Sequence, residues 1–125
     1  MSQGPPGDLD QRCERGVALK SCGDYERAAA EFQALLQDHP THAGAHFELG
    51  LVFGFMGLFD DSLEHLRQAV ECQPGFTAAH LTLAKTHAML GQYPEAREQF
   101  EKVLALCPDH PEATKQLAYF EEAGF

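Results

Sequence analysis

The sequence predicts an all-α protein made of copies of one helical hairpin, and two recurring helix breakers are the main evidence. A glycine and a proline each return every 34 residues, at Gly23, Gly57 and Gly91 and at Pro40, Pro74 and Pro108. Between these breakers, apolar residues lie three and four positions apart, which places them on one face of a helix. Self-similarity at a single period indicates one supersecondary unit that has been copied and stacked.

The first unit follows a lead-in that is rich in Gly and Pro, so we expect residues 1–8 to be flexible. Its first helix is predicted over residues 9–22 and ends at the glycine. Asp24 can cap the second helix, which is predicted over residues 25–38. Pro40 closes the unit, because proline disfavours helical geometry in the residue before it.

The second and third units repeat this plan. In the second, Thr41 or His42 opens a helix over residues 43–56, and a further helix begins at Asp60 or Asp61 and runs to about residue 72. In the third, we expect Thr77 to cap a helix that ends at residue 90, followed by a helix over residues 93–106. Each unit therefore supplies one helix pair.

A last helix, which begins at Pro111, has no partner helix in the pattern. In a stacked array the final repeat would leave its apolar side in water, so a terminal helix with a polar outer face is needed. We expect Leu117, Ala118 and Phe120 to dock. The polar outer face is predicted to comprise Lys115, Gln116, Glu121 and Glu122.

Charge and composition exclude several classes of function. The formal net charge is −10, with 9 Lys and Arg against 19 Asp and Glu, which argues against binding to nucleic acid. No apolar run is long enough to insert into a membrane, and the N-terminal residues have no apolar signal segment. Four cysteines without a C-x-x-C pair are typical of reduced thiols, so we expect a cytoplasmic protein.

Together these positions resemble the tetratricopeptide repeat family. Its pattern of a small residue in the first helix, Gly and then an aromatic residue at the turn, and a small and then a large residue in the second helix is met in every unit. The resemblance covers three repeats, 9–42, 43–76 and 77–110, and a capping helix, 111–125. The sequence departs from it at Arg12, Arg15, His46 and His80, where packing residues are usual.

The resemblance implies a right-handed α-solenoid of stacked antiparallel helix pairs whose first helices line a concave groove. It also implies a docking scaffold without catalytic activity or cofactor. The partner-binding groove is expected to comprise Cys13, Val17, Lys20, Phe47, Leu51, Gly54, Phe55, Leu81, Lys85 and Met89. From the last helix, the family's inner positions add Glu112, Lys115 and Tyr119.

The centre of this groove is apolar, and exposed apolar patches of this kind mark interfaces. Gly54, like Gly44, is not required by the repeat pattern and would let a ligand approach Phe55 closely. We therefore expect a scaffold or chaperone-like adaptor that binds an apolar peptide or helix of another protein. The alternative is a structural unit that self-assembles through the same groove into dimers or larger oligomers.

One binding mode of the family is rejected on its residues. Chaperone adaptors with these repeats hold a partner's C-terminal carboxylate with basic and amide side chains on the inner helices. The corresponding positions here are Cys13, Val17, Glu48, Ala78 and Thr82. None of them supplies the clamp.

A metal site or a Cys–His catalytic site would require His and Cys residues in a specific arrangement. His42 and His46 have the spacing of two ligands on one helix face, but no Cys or carboxylate completes the set. We therefore expect no metal, and we expect His46 and His80 to replace the usual packing residue. No local signature brings a thiol, a base and an orienting group together, so an enzyme is not expected, and a metal- or redox-responsive protein is the weakest alternative.

Overall fold

The computed structural model describes residues 7–125, which form seven α-helices and no strand. The all-α prediction is therefore confirmed. The helices are α1 Gly7–Ser21, α2 Tyr25–Asp38, α3 Ala43–Phe55, α4 Phe59–Cys72, α5 Thr77–Met89, α6 Tyr93–Leu106 and α7 Pro111–Ala123.

Contacts divide the chain into two compact units after Cys72. The first unit contains α1 to α4, and each helix packs against the next. The second contains α5 to α7, with α6 packed against both of its neighbours. Short connections between packed neighbours make each successive pair a helical hairpin.

Most helix ends lie within one residue of their predicted positions, and three details differ. Residues 1–6 of the predicted flexible lead-in lie outside the described residues, but α1 already begins at Gly7. Helix α4 begins at Phe59, so the two aspartates stand inside its first turn, where they complement the helix dipole. Thr77 is not the cap of α5: it is the first helical residue, and Phe76 holds the cap position without a side-chain bond.

The predicted glycine breaks have a defined backbone geometry. At the end of α1, Gly23 has φ +83°, a left-handed conformation that glycine adopts without strain. Its N–H donates to the Lys20 carbonyl at 3.0 Å, and the N–H of Asp24 donates to the Leu19 carbonyl at 2.9 Å. These are the two bonds of a Schellman motif, and they recur at Gly57 and Gly91.

Helix pairs approach closely because the first helix carries a small residue where the second carries a large one. A Cβ on Gly16 would lie 2.5 Å from the Phe32 ring, and a Cβ on Gly50 would lie 2.8 Å from Leu66 Cγ. Phe32 and Leu66 are completely buried. The repeat's small-to-large pairing therefore sets the separation of the two helices.

Helix α7 covers α6 through only part of its predicted docking face. Ala113 and Phe120 are buried in the core of the second unit, and Leu117 packs against it. Ala118, which was expected to dock, is exposed. A further contact was not predicted: the Phe125 ring stacks on Tyr93 with centroids 3.9 Å apart.

Candidate interaction surfaces

In the first unit, the residues predicted to bind a partner lie on α1 and α3, and Phe55 is the most exposed of the large ones. Its side chain is 59% exposed, although one face of the ring stacks on Tyr25 with centroids 5.4 Å apart. Phe47 and Leu51 are half-buried, so this surface is less open than the sequence suggested. Cys13 and Val17 are also partly covered, because they pack against the core of the first unit.

Lys20 is the predicted cation of this surface, but it is already neutralised. Its Nζ lies 2.6 Å from Glu48 Oε1, and both side chains are mostly buried. Sequence reasoning named the two residues separately and did not pair them. Since they are 28 positions apart, only the packing of α1 beside α3 could reveal the ion pair.

Gly44 and Gly54, the two glycines of α3 that the repeat pattern does not require, have different surroundings. A Cβ on Gly54 would lie 3.5 Å from Ser62 Oγ, an ordinary contact that alanine could make. At Gly44, a Cβ would meet the His42 ring at 3.1 Å. Gly44 therefore leaves room for the capping histidine, and this packing role had not been anticipated.

His42, one of the two residues predicted to open α3, is its N-cap. The capping hydrogen bond determines which ring nitrogen of His42 carries the proton. Its Nδ1 accepts a hydrogen bond from the Ala45 N–H at 2.9 Å, so in the neutral ring Nε2 carries the proton. That Nε2 lies 4.0 Å from Cys13 Sγ. A nitrogen that already holds a proton cannot accept one from the thiol.

The thiol itself is not activated. Burial raises the pKa of Cys13, and the nearby carboxylates of Asp10 and Glu48 raise it further. A reactive cysteine needs the opposite, an electropositive setting that favours the thiolate. This Cys–His contact therefore lacks both a base and a nucleophile.

In the second unit, α5 and α7 enclose a cleft of about 380 Å³. Met89 and Tyr119 form its exposed walls, with 63% and 58% of their surfaces accessible. Its lining also includes three aromatic rings, those of Tyr93, Phe100 and Phe120. Leu81, another predicted groove residue, is half-buried and packs against the core of this unit.

The polar residues of the cleft are paired or displaced from their predicted face. Lys85 Nζ lies 3.0 Å from Glu112 Oε2, so this second predicted cation also has an acidic partner, in a pair whose side chains are 54% and 42% exposed. Gln116, which was expected on the polar outer face, lines the cleft. Lys115 is exposed and does not line it.

His46 and His80 occupy buried positions, as predicted for packing residues, with 4% and 5% of their surfaces exposed. Each ring donates from Nε2 to a proline carbonyl, Pro40 at 2.8 Å and Pro74 at 2.9 Å. The residues 7–125 contain no group of three or more His, Cys, Asp or Glu placed to hold a metal ion. Within the same range, no helix is both long and apolar enough to cross a membrane.

Comparison with known proteins finds related sequences of much greater length. DnaJ homolog subfamily C member 3 of Bos taurus is 30% identical over 122 residues, which are 95% of this chain and 24% of the relative. The chain therefore spans about a quarter of the length of this relative, and 10% of the Protein CTR9 homolog of Arabidopsis thaliana.

Solved structures with the same fold are more distant in sequence. The crystal structure of MamA superposes with a TM-score of 0.86 at 18% identity and covers 95% of this chain and 70% of that one. The first TPR of Spaghetti (RPAP3), solved with the HSP90 peptide SRMEEVD, gives a TM-score of 0.85 at 21% identity and covers 92% of this chain and 91% of that one.

Two family models, both described as tetratricopeptide repeat, match this sequence over residues 13–53 and 77–120. These ranges contain the small-to-large pairing of α1 with α2 and the aromatic cluster of α6 and α7. The chain belongs to the tetratricopeptide repeat family.

Proposed function

We propose that this chain is a non-catalytic protein-interaction module that binds an apolar segment of another protein. One observation carries the proposal: Phe55, Met89 and Tyr119, at positions that the family resemblance assigns to the inner face, expose 59%, 63% and 58% of their surfaces. Large apolar side chains exposed to this degree favour a covering partner. Fully burying one of them contributes about 1.5–3 kcal/mol.

The charges of these surfaces favour apolar recognition over recognition of an acidic tail. Lys20 and Lys85 are each held by a glutamate, at 2.6 and 3.0 Å. A carboxylate-ended peptide such as the one bound to the Spaghetti repeat would have to displace those glutamates in a chain of net charge −10. We therefore expect a partner segment with apolar anchors and without an acidic terminus.

A chaperone-like adaptor role is the finer form of this proposal. It is supported by the names of two similar proteins, a DnaJ homolog and a repeat bound to an HSP90 peptide. Apolar side chains of a partner would enter the cleft of the second unit, and the exposed Phe55 of the first unit would make a separate contact. After the costs of ordering and association, we expect micromolar dissociation constants.

Selection from a library of random peptides tests the proposal. Peptides recovered on the wild-type chain should be rich in large apolar residues. Their affinity should fall about tenfold or more for Phe55→Glu or Met89→Glu, because a charge replaces a buried apolar contact. Fluorescence anisotropy with the labelled peptides measures this loss.

Leu106→Glu is the matched control. Leu106 lies on α6, the second helix of its pair, and its side chain is 44% exposed. The substitution introduces the same charge outside the proposed surface. It should leave peptide binding unchanged. Circular dichroism must show that all three variants stay helical. Two outcomes would refute the proposed surface. One is a loss of peptide affinity for Leu106→Glu equal to that for Phe55→Glu or Met89→Glu. The other is a selection that enriches peptides with acidic carboxyl-terminal sequences.

A further inference from the structure

We propose that His46 and His65 form a pH-sensitive joint that fastens α3 to α4 and to the α2–α3 connection at neutral pH and loosens on acidification. His46 lies on α3 and His65 on α4, and their Nδ1 atoms are 3.1 Å apart.

The hydrogen-bond direction follows from the carbonyl at the other side of the His46 ring. A carbonyl only accepts, so the contact of 2.8 Å between His46 Nε2 and the Pro40 oxygen places a proton on Nε2. In the neutral ring, Nδ1 then presents a lone pair. The 3.1 Å contact is therefore a bond in which His65 Nδ1–H donates to His46 Nδ1.

Ring orientation supports a true hydrogen bond. The planes of the two imidazoles differ by 25°, and their centroids are 5.3 Å apart, while the two nitrogens are 3.1 Å apart. The centroid distance exceeds the nitrogen distance by about two ring radii, so the rings meet edge to edge. The proton therefore lies close to the line between the nitrogens.

The number of protons bound by the two imidazoles determines whether the hydrogen bond between them can form. A pair with one extra proton keeps a single N–H between the two nitrogens, so it retains the bond. A second extra proton places two N–H groups and two positive charges face to face at the same distance. That state cannot hold the contact, and the ring of His46, only 4% exposed, cannot turn to water without opening the packing.

The groups around the pair do not rescue the doubly charged state. Helix α2 presents Gln33, Leu36 and Gln37 to a cavity of about 490 Å³ that both imidazoles line, and none of these side chains titrates. On α4, Asp61 and Glu64 favour a proton on His65. Burial and the neighbouring His46 outweigh them, so the pKa of His65 is lowered.

The sign of the effect follows from this lowered pKa. A native histidine that binds protons less readily than in the unfolded chain makes the fold lose stability as the pH falls through the unfolded value, about 6.5. The loss grows until the pH passes the native pKa. The unfolded chain can bind a proton on each histidine, whereas the native pair keeps its bond with one extra proton and opposes the second. Acidification from pH 7.5 to pH 5 therefore lowers the stability of the fold, and the joint weakens as the second proton binds.

The following repeat provides the matched variant. His80 has the same contact to a proline carbonyl, but Gln99 stands 2.8 Å from its Nδ1, in place of a histidine. An amide can offer its oxygen or its NH₂, so it can pair with His80 in either protonation state. His65→Gln copies this arrangement into the first unit.

Urea unfolding of the full chain at pH 7.5 and pH 5 tests the joint. Acidification from pH 7.5 to pH 5 should raise the unfolding equilibrium constant of both proteins. The rise in wild type should be about threefold or more larger than the rise in His65→Gln. His39→Gln removes a histidine that is exposed in the α2–α3 connection, and it should behave as wild type. An equal pH response in wild type and His65→Gln would overturn the proposal.

Histidine NMR supplies a readout that does not depend on any variant folding. Long-range ¹H–¹⁵N spectra of wild type at pH 7.5 should show His46 protonated at Nε2 and His65 protonated at Nδ1. On titration, the His65 resonances should shift below pH 6.5. A His46 ring protonated at Nδ1 in the neutral form would also overturn the proposal.

Discussion

At the scale of single residues, two glycines of α3, Gly50 and Gly54, have opposite roles. Gly50 faces Leu66, whose Cγ would lie 2.8 Å from an added Cβ, and the Ser62 carbonyl would lie at 3.3 Å. Gly54, one turn later, has only Ser62 Oγ nearby, at 3.5 Å. Ser62 itself donates to the Gly50 carbonyl at 2.7 Å, which holds the two helices at this separation.

The glycine pair gives a prediction about stability. Gly50→Ala should lower the free energy of unfolding by about 1–3 kcal/mol, because the methyl group overpacks a rigid helix contact. Gly54→Ala should raise it by about 0.5–1 kcal/mol, since alanine restricts the unfolded chain and fits the helix. Denaturant melts of the two variants measure both values. Equal effects of the two changes would contradict the assigned packing.

At the scale of elements, α7 depends on one ring. Phe120 is 2% exposed and meets the edges of Tyr93 and Phe100, with centroids 5.8 Å away in each case. The remaining contacts of α7 include the smaller Ala113 and the half-buried Leu117. A helix held mainly by one ring opens more readily than the helices it packs against.

We therefore expect Phe120→Ala to detach α7 before the rest of the second unit unfolds. The loss of a buried phenylalanine costs about 3–5 kcal/mol. Hydrogen exchange should show loss of protection in α7, while α6 remains protected. Tyr119→Ala, the neighbouring change at a ring that is 58% exposed, should alter stability by no more than about 0.5 kcal/mol. Uniform loss of protection in both helices would argue against α7 as a separate unit.

At the scale of the whole molecule, net charge and exposed apolar surface act against each other. The charge of −10 repels copies of the chain, while Phe55, Met89 and Tyr119 favour association. If the chain binds a different protein, as proposed, charge repulsion keeps its copies apart and the exposed apolar side chains contact that protein. Self-assembly, the alternative raised by the sequence, requires the opposite balance.

Solution mass separates these two functions. Light scattering across a wide concentration range should give 13.8 kDa throughout, the mass of one chain. High salt screens the charge repulsion between copies. The mass should still be that of one chain if the exposed apolar side chains do not bind each other. A dimer or larger species that dissociates in Phe55→Glu, but not in Leu106→Glu, would instead establish self-association through the predicted surface.

The sequence by itself determined the helices and their ends, because these depend on neighbours in the chain. Gly23 can take φ +83° without strain, and Asp24 can reach the Arg27 N–H with its own carboxylate. The small residue of each first helix was equally readable, since the 34-residue period identifies Gly16 with Gly50. Local geometry and periodicity therefore sufficed for the fold.

Only the tertiary structure decided which side chains at the predicted site have partners. The ion pair of Lys20 with Glu48 and the bond of His46 with His65 join residues 28 and 19 positions apart. Rotamers and helix packing bring them together, and no spacing rule in the sequence encodes either. A residue's place on a helix face follows from its number, but its charge balance and exposure depend on the neighbour that another helix supplies.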